Sequence, residues 1–196
     1  MIYQVSTAIN TYGMVEYDHK LSAPYDLFLE GTSLAGMALD LRYTVKKKGD
    51  ADKLAKAHLV QSTGPDLVSN AFRAVIERVA PAQAEFFDAD ISFKGSAIAG
   101  FRAMNLVHRV ACVDLEKSEY KVTNFDPHHP TYLFLYSVLR DAFESDLDIV
   151  RSQELSPAIV VGEALKIACV EAKLHGLLFC RTVDRTHRNR SICERS

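Results

Sequence analysis

Asp126-Pro127-His128-His129-Pro130 puts one carboxylate and two imidazoles within four residues. Those groups suit a divalent transition metal, and the flanking prolines would stiffen the loop that carries them. Adjacent side chains of an extended segment point opposite ways, so only a turn would bring His128 and His129 to one ion. A rigid surface loop is the plainer reading. A metal-dependent hydrolase built on Asp126, His128 and His129 stays as an alternative; no cofactor is otherwise expected. His108 lies inside an apolar strand pattern and reads as a hydrogen-bonded, half-buried histidine more than as a general base.

Two charge clusters offer binding chemistry instead. Asp141, Glu144, Asp146, Asp148 and Glu154 face only Arg151 within residues 141–154, a local charge of −4. Arg181, Arg185, Arg188, Arg190 and Arg195 face Asp184 and Glu194, a local charge of +3. The plain reading is one solvated face and one fraying tail. The sharper reading sets Asp141, Glu144, Asp146 and Asp148 against a basic protein surface, where charge steers association. The two clusters could also face each other in a homodimer. A nucleic-acid partner for the tail is a further alternative. It is not favoured, because no aromatics are interleaved to stack on bases.

The common enzyme signatures are absent: no G-x-G-x-x-G, no phosphate-loop lysine motif, no G-x-S-x-G, no H-E-x-x-H. Of the four cysteines, Cys112, Cys169 and Cys180 sit in apolar settings and read as small core hydrophobes. No C-x-x-C occurs, and with Cys193 in the polar tail the expectation is reduced thiols in a cytoplasmic protein. The start of the chain lacks a signal-peptide pattern, and no apolar run is long enough to span a membrane. With 196 residues, 48% hydrophobic, 24% charged and a net charge of −2, the composition is that of an ordinary globular chain. A chain of this length buries roughly 70% of its unfolded surface.

The elements that must position these groups read as α+β with a mostly antiparallel sheet. The expected organisation is one domain over 1–180, strand-rich in 1–64, followed by a polar Arg-rich tail over 181–196. Strands are expected at 2–5, 14–17, 25–31 and 39–45, with Lys46-Lys47-Lys48-Gly49-Asp50 as a solvated loop. A helix stripe runs from Leu67 through Phe72 to Val79, capped by Ser69 and stopped at Ala80-Pro81. Strands follow at 85–87, 91–93 and, as one long signal, 101–115, with a hairpin near Gly95 and Gly100. Residues 132–143 are ambiguous between helix and buried strand. A short strand is expected at 148–151. A second helix is expected to open at Ser156-Pro157 and close near Gly176, before a last core strand at 177–180.

Several segments resemble a bacterial family of immunity proteins, immunity protein eleven. They are Pro65-Asp66-Leu67-Val68-Ser69-Asn70-Ala71-Phe72-Arg73, Glu85-Phe86-Phe87, Gly100-Phe101-Arg102-Ala103-Met104-Asn105-Leu106-Val107, Val113-Asp114-Leu115-Glu116-Lys117-Ser118-Glu119-Tyr120 and Leu174-His175-Gly176-Leu177-Leu178-Phe179. The resemblance covers residues 65–180. It marks Ser69, Phe72, Asn105, Asp114, Ser118, Gly176 and Phe179 as structural positions. It implies a protein of polymorphic toxin systems that binds a cognate toxin or effector inside the bacterial cell, without catalysis.

Overall fold

The computed structural model describes residues 1–8, 15–123, 131–182 and 191–195. The largest sheet has six strands in the order β10-β13-β14-β1-β15-β16. These are β10 (Arg109–Val110), β13 (Ile149–Ser152), β14 (Ile159–Gly162), β1 (Ile2–Thr7), β15 (Leu177–Thr182) and β16 (Ser191–Arg195). A four-stranded sheet joins β4 (Leu59–Val60), β5 (Leu67–Ser69), β9 (Phe101–Leu106) and β6 (Ala84–Asp88) in that order. A second four-stranded sheet joins β2 (Val15–Tyr17), β3 (Arg42–Val45), β7 (Asp90–Phe93) and β8 (Ser96–Ala97). β11 (Glu119–Thr123) and β12 (Thr131–Tyr136) form a separate antiparallel pair. Among the described residues, only β3–β7 and β10–β13 pair in parallel. The α+β, mostly antiparallel expectation therefore holds.

Three apolar clusters hold these layers together. The first packs Tyr3, Val5, Ile159, Val161 and Phe179 of the large sheet against helices α2 (Asn70–Val79) and α3 (Glu163–Glu171). The second lies between the two smaller sheets, around Tyr17, Phe28, Tyr43, Leu67 and Ile91. The third covers the other face of the large sheet, where Ile2, Val150 and Val160 meet Cys112, Val113 and Leu139. Strand alternation explains the division. Leu67 faces the second cluster and Val68 the first; Ile159 and Val161 face the first and Val160 the third.

Both faces of these strands are covered, so their sequences are continuous apolar runs that imitate helix starts. Leu67 and Val68 are accordingly strand, and α2 begins at Asn70 with the Ser69 hydroxyl accepting the Phe72 N–H at 3.2 Å. It stops at Ala80 as expected. Likewise Ser156-Pro157 caps no helix. It lies in the turn between β13 and β14, and α3 opens at Glu163 after Gly162.

Other expectations are also corrected. Residues Tyr25–Leu29 form a 3-10 helix whose Phe28 is the one side chain driven fully into the second cluster, rather than a strand. Lys48 opens a short helix, α1 (Lys48–Leu54), anchored by buried Leu54, where a loop was expected. The long 101–115 signal divides into β9, β10 and a single bridge from Val113 to Leu139. The hairpin at Gly95 is present as β7–β8. The polar end does not simply fray: β16 pairs along β15, and Cys180 forms a disulfide with Cys193 directly opposite it. Cys180 is thus not a free core thiol. Cys112 and Cys169 are buried, and burial pushes both thiols up to about 12.

Candidate partner-binding surface

The marked structural positions build a frame. Asn105 is fully buried, and its Nδ2 donates to Thr32 O at 2.8 Å and Glu85 Oε2 at 3.0 Å. Glu85 also accepts from the Ser33 hydroxyl and the Leu34 N–H. Burial pushes the Glu85 carboxyl up, but these donors outweigh it and hold the group below its ordinary value. Asp114 and Ser118 lock the turn that launches β11. Ser118 Oγ donates to Asp114 O at 2.6 Å and accepts the Val138 N–H at 2.9 Å. Asp114 accepts the Lys117 N–H and pairs with its ammonium at 2.7 Å, which lowers its carboxyl pKa. Gly176 turns the chain into β15 at φ 93°, and Phe72 and Phe179 fill the first cluster.

On this frame the β11–β12 pair projects from the third cluster. Its register sets Tyr120 opposite Phe134 and Val122 opposite Tyr132. The rings of Tyr120, Tyr132 and Phe134 pack together at 5.3–5.8 Å on one face, and Phe134 reaches the third cluster. On the opposite face Leu133 and Leu135 remain 51% and 71% exposed. Two isolated strands are marginal in water, so this ribbon depends on its packed aromatic face while its leucines stay available.

The predicted acidic residues follow in the next segment. Asp141 is exposed and paired with Arg181 of β15; Glu144 is exposed and paired with Arg140. Exposed pairs of this kind contribute little, so they can exchange partners at small cost. Asp146 and Asp148 make no ion pair among the described residues. With Met1, Phe143, Gly162 and Glu163 they line a shallow depression of about 350 Å³. Asp148 is the most firmly placed, its N–H donating to Gln83 Oε1 at 2.8 Å and its carbonyl accepting from Gly162 N at 2.9 Å.

Arg140 links the two features. It pairs with Glu144, donates to Val113 O at 3.3 Å, and lines with Tyr132, Leu115 and Arg109 a depression of about 440 Å³. Arg140 therefore lies between Tyr132, on the aromatic face of the ribbon, and Glu144. Glu154, counted with the acidic run, is instead buried, accepting from Cys112 N and Ser152 Oγ. Arg151 is fully buried.

Asp126, His128 and His129 lie outside the described residues, as do Arg185, Arg188 and Arg190. Among the described residues, no group of three His, Cys, Asp or Glu side chains is placed to hold a metal. His108 is half-buried at the bend after β9, where its carbonyl accepts the Arg151 N–H at 2.9 Å. No described helix is long and apolar enough to cross a membrane. The exposed leucines were missed in the sequence because residues 131–136 are apolar on both faces, and only the fold shows which face is left uncovered.

Chemically, the molecule offers two exposed leucines on one face of the ribbon and, in the following segment, carboxylates that are solvent-facing, half-buried or held in exchangeable pairs. Such an arrangement suits contact with another macromolecule. The chain belongs to the Immunity protein family (Imm11), whose sequence profile matches residues 13–184, most of its length. The match begins well before Pro65, so residues 13–64 of the strand-rich N-terminal part lie within the family's span. No curated protein matches the chain significantly.

Proposed function

We propose that this protein binds a cognate bacterial toxin or effector in the cytoplasm and neutralises it stoichiometrically, by covering its active surface and without catalysis of its own. Family membership supports the immunity role. The observation that carries the binding surface is the exposure of Leu133 and Leu135 on an uncovered face of the ribbon, to which the reading adds the carboxylates of Asp141, Glu144, Asp146 and Asp148 in the next segment. In this reading the leucines are apolar anchors that slow dissociation. The carboxylates steer a basic partner surface, such as the phosphate-binding face of a nuclease, and reject acidic ones. Arg140 and Arg181 release Glu144 and Asp141 to that partner. A tight inhibitor needs an interface of about 1,600 Å², so the leucines and the acidic segment would both be covered.

Co-expression tests this. The product of the adjacent gene, as the candidate toxin, is expressed in a naive bacterial host with and without this protein, and survival is scored. Rescue by the wild type is expected, with weakened rescue by Leu133→Ser/Leu135→Ser and by Asp141→Asn/Glu144→Gln/Asp146→Asn/Asp148→Asn. Full rescue by both variants would exclude this surface. Toxicity without rescue by the wild type would exclude the pairing itself.

A further inference from the structure

Strand β16 is the outer edge of the six-stranded sheet, and among the described residues it pairs only with β15. Among the described residues, two side-chain ties hold it. One is the Cys180–Cys193 disulfide, between residues directly opposite in the ladder. The other is Glu194, whose carboxylate meets the Lys166 ammonium at 2.6 Å. Lys166 is itself prepositioned on α3. Its ammonium sits 4.2 Å from the centre of the Tyr3 ring and 3.5 Å from Glu163, which accepts the Tyr3 hydroxyl at 2.6 Å. Residues 193–195 are exposed, so one end of the disulfide is open to reagents.

The other two cysteines differ in kind. Cys112 and Cys169 are wholly buried and unpaired. Burial pushes their thiols up to about 12, which leaves almost no thiolate for exchange. Thiol–disulfide chemistry is thereby confined to one accessible pair, located where a short edge strand needs a second fastening.

We infer that Cys180 and Cys193 form a reversible thiol–disulfide modification site that latches the C-terminal strand over the edge of β15, with a dithiol reductant as its co-reactant. In reduction, a thiolate of the dithiol attacks one sulfur and breaks the Cys180–Cys193 bond, giving a mixed disulfide. The second thiol of the reductant closes its own disulfide and releases the remaining cysteine. Two electrons and two protons pass to the protein, and the reductant leaves oxidised. Reoxidation by a disulfide oxidant runs the same exchange backwards. With the bond broken, β16 keeps five residues of ladder and the Lys166–Glu194 pair. When it lifts, the N–H and C=O groups of β15 become an open edge, the kind of surface on which another strand pairs. In a reducing cytoplasm the site rests as a dithiol, and an oxidising episode closes it.

The test uses the full chain. Protein purified without reductant, or treated with oxidised glutathione, is labelled with a maleimide before and after denaturation, and amide hydrogen exchange is followed by mass spectrometry. The expected result is two thiols in the oxidised protein, both reactive only after denaturation. After dithiothreitol there are four, two of them reactive in the native state. Exchange over 191–195 is expected to rise at least tenfold on reduction and to fall again on reoxidation. Cys193→Ser, at an exposed position, should show the fast exchange with or without reductant. Four thiols after oxidised glutathione would overturn the site. A disulfide that forms but leaves exchange over 191–195 unchanged on reduction would overturn the latch.

Discussion

Replacing Arg151 by methionine probes how this interior tolerates charge. Arg151 is 1% exposed and Asp66, 3.9 Å away, is 15% exposed. Nη1 of the guanidinium donates to Pro157 O at 2.5 Å, while Nε is buried without a partner among the described residues. Burial pushes the Asp66 carboxyl from 3.8 up to about 6, although Arg151 pulls it down. A carboxyl raised in the folded state binds its proton more tightly there than in the unfolded chain. Its contribution to stability is therefore greatest at low pH and falls as pH rises between 3.8 and about 6. That displacement corresponds to a penalty of at most about 3 kcal/mol at neutral pH. Arg151→Met keeps most of the buried stem and removes the only cation beside Asp66 among the described residues. The upper end of the window then moves higher, and Asp66 is either charged without a partner or protonated at a cost. The expected loss is about 3 kcal/mol at pH 7.5, shrinking to about 1 kcal/mol at pH 5, where Asp66 takes up its proton. Adding Asp66→Asn should recover most of the loss at pH 7.5. Urea unfolding followed by far-ultraviolet circular dichroism at both pH values measures this. Equal losses at pH 5 and pH 7.5 would refute the assignment of the penalty to Asp66.

Three smaller perturbations follow from the frame. Ser69→Ala removes the cap on the Phe72 N–H and should cost about 1 kcal/mol, read in the same denaturation assay. Gly31 and Gly36 both have positive φ, 71° and 81°, but a Cβ at Gly31 would lie 2.5 Å from Arg109 N whereas one at Gly36 meets nothing within 4 Å. Gly31→Ala should therefore lower the melting temperature clearly more than Gly36→Ala, which carries only the backbone strain of about 1–2 kcal/mol. Glu85 is held below its ordinary pKa by its donors, so its contribution is present above the unfolded carboxyl pKa and is lost as pH falls through the depressed folded value. Glu85→Gln should flatten that acid limb of the stability profile, and an unchanged limb would show that another carboxylate is responsible.

Helix α2 was legible because one amphipathic stripe coincides with one capping serine and one terminating Ala80-Pro81. The starts of both long helices were misread for a common reason. Leu67-Val68 and Ile159-Val160-Val161 are buried on alternate sides of strands covered on both faces, and such a run carries no period that separates strand from helix. Phe28 was hidden because a single buried ring in a 3-10 turn leaves no periodicity at all. At the surface, the acidic residues were visible because they lie close together in the chain. The disposition of Glu154 inward and of Leu133 and Leu135 outward depends on what packs against each strand. The Cys180–Cys193 pair depends on a register set between residues 13 positions apart in the chain. Asp114 and Ser118 were recognised only as a pattern, and the turn they lock gives that pattern its physical meaning.

The most direct measurement is a calorimetric titration of a candidate toxin, the product of the neighbouring gene once it is shown to be toxic, with the purified full chain, run alongside an assay of that toxin's activity. Stoichiometric neutralisation predicts a fixed molar ratio at saturation, with toxin activity lost in proportion to the complex formed and affinity reduced by Leu133→Ser/Leu135→Ser. Inactivation of the toxin by a small molar fraction of this protein, without a saturable complex, would contradict it and point to catalysis instead.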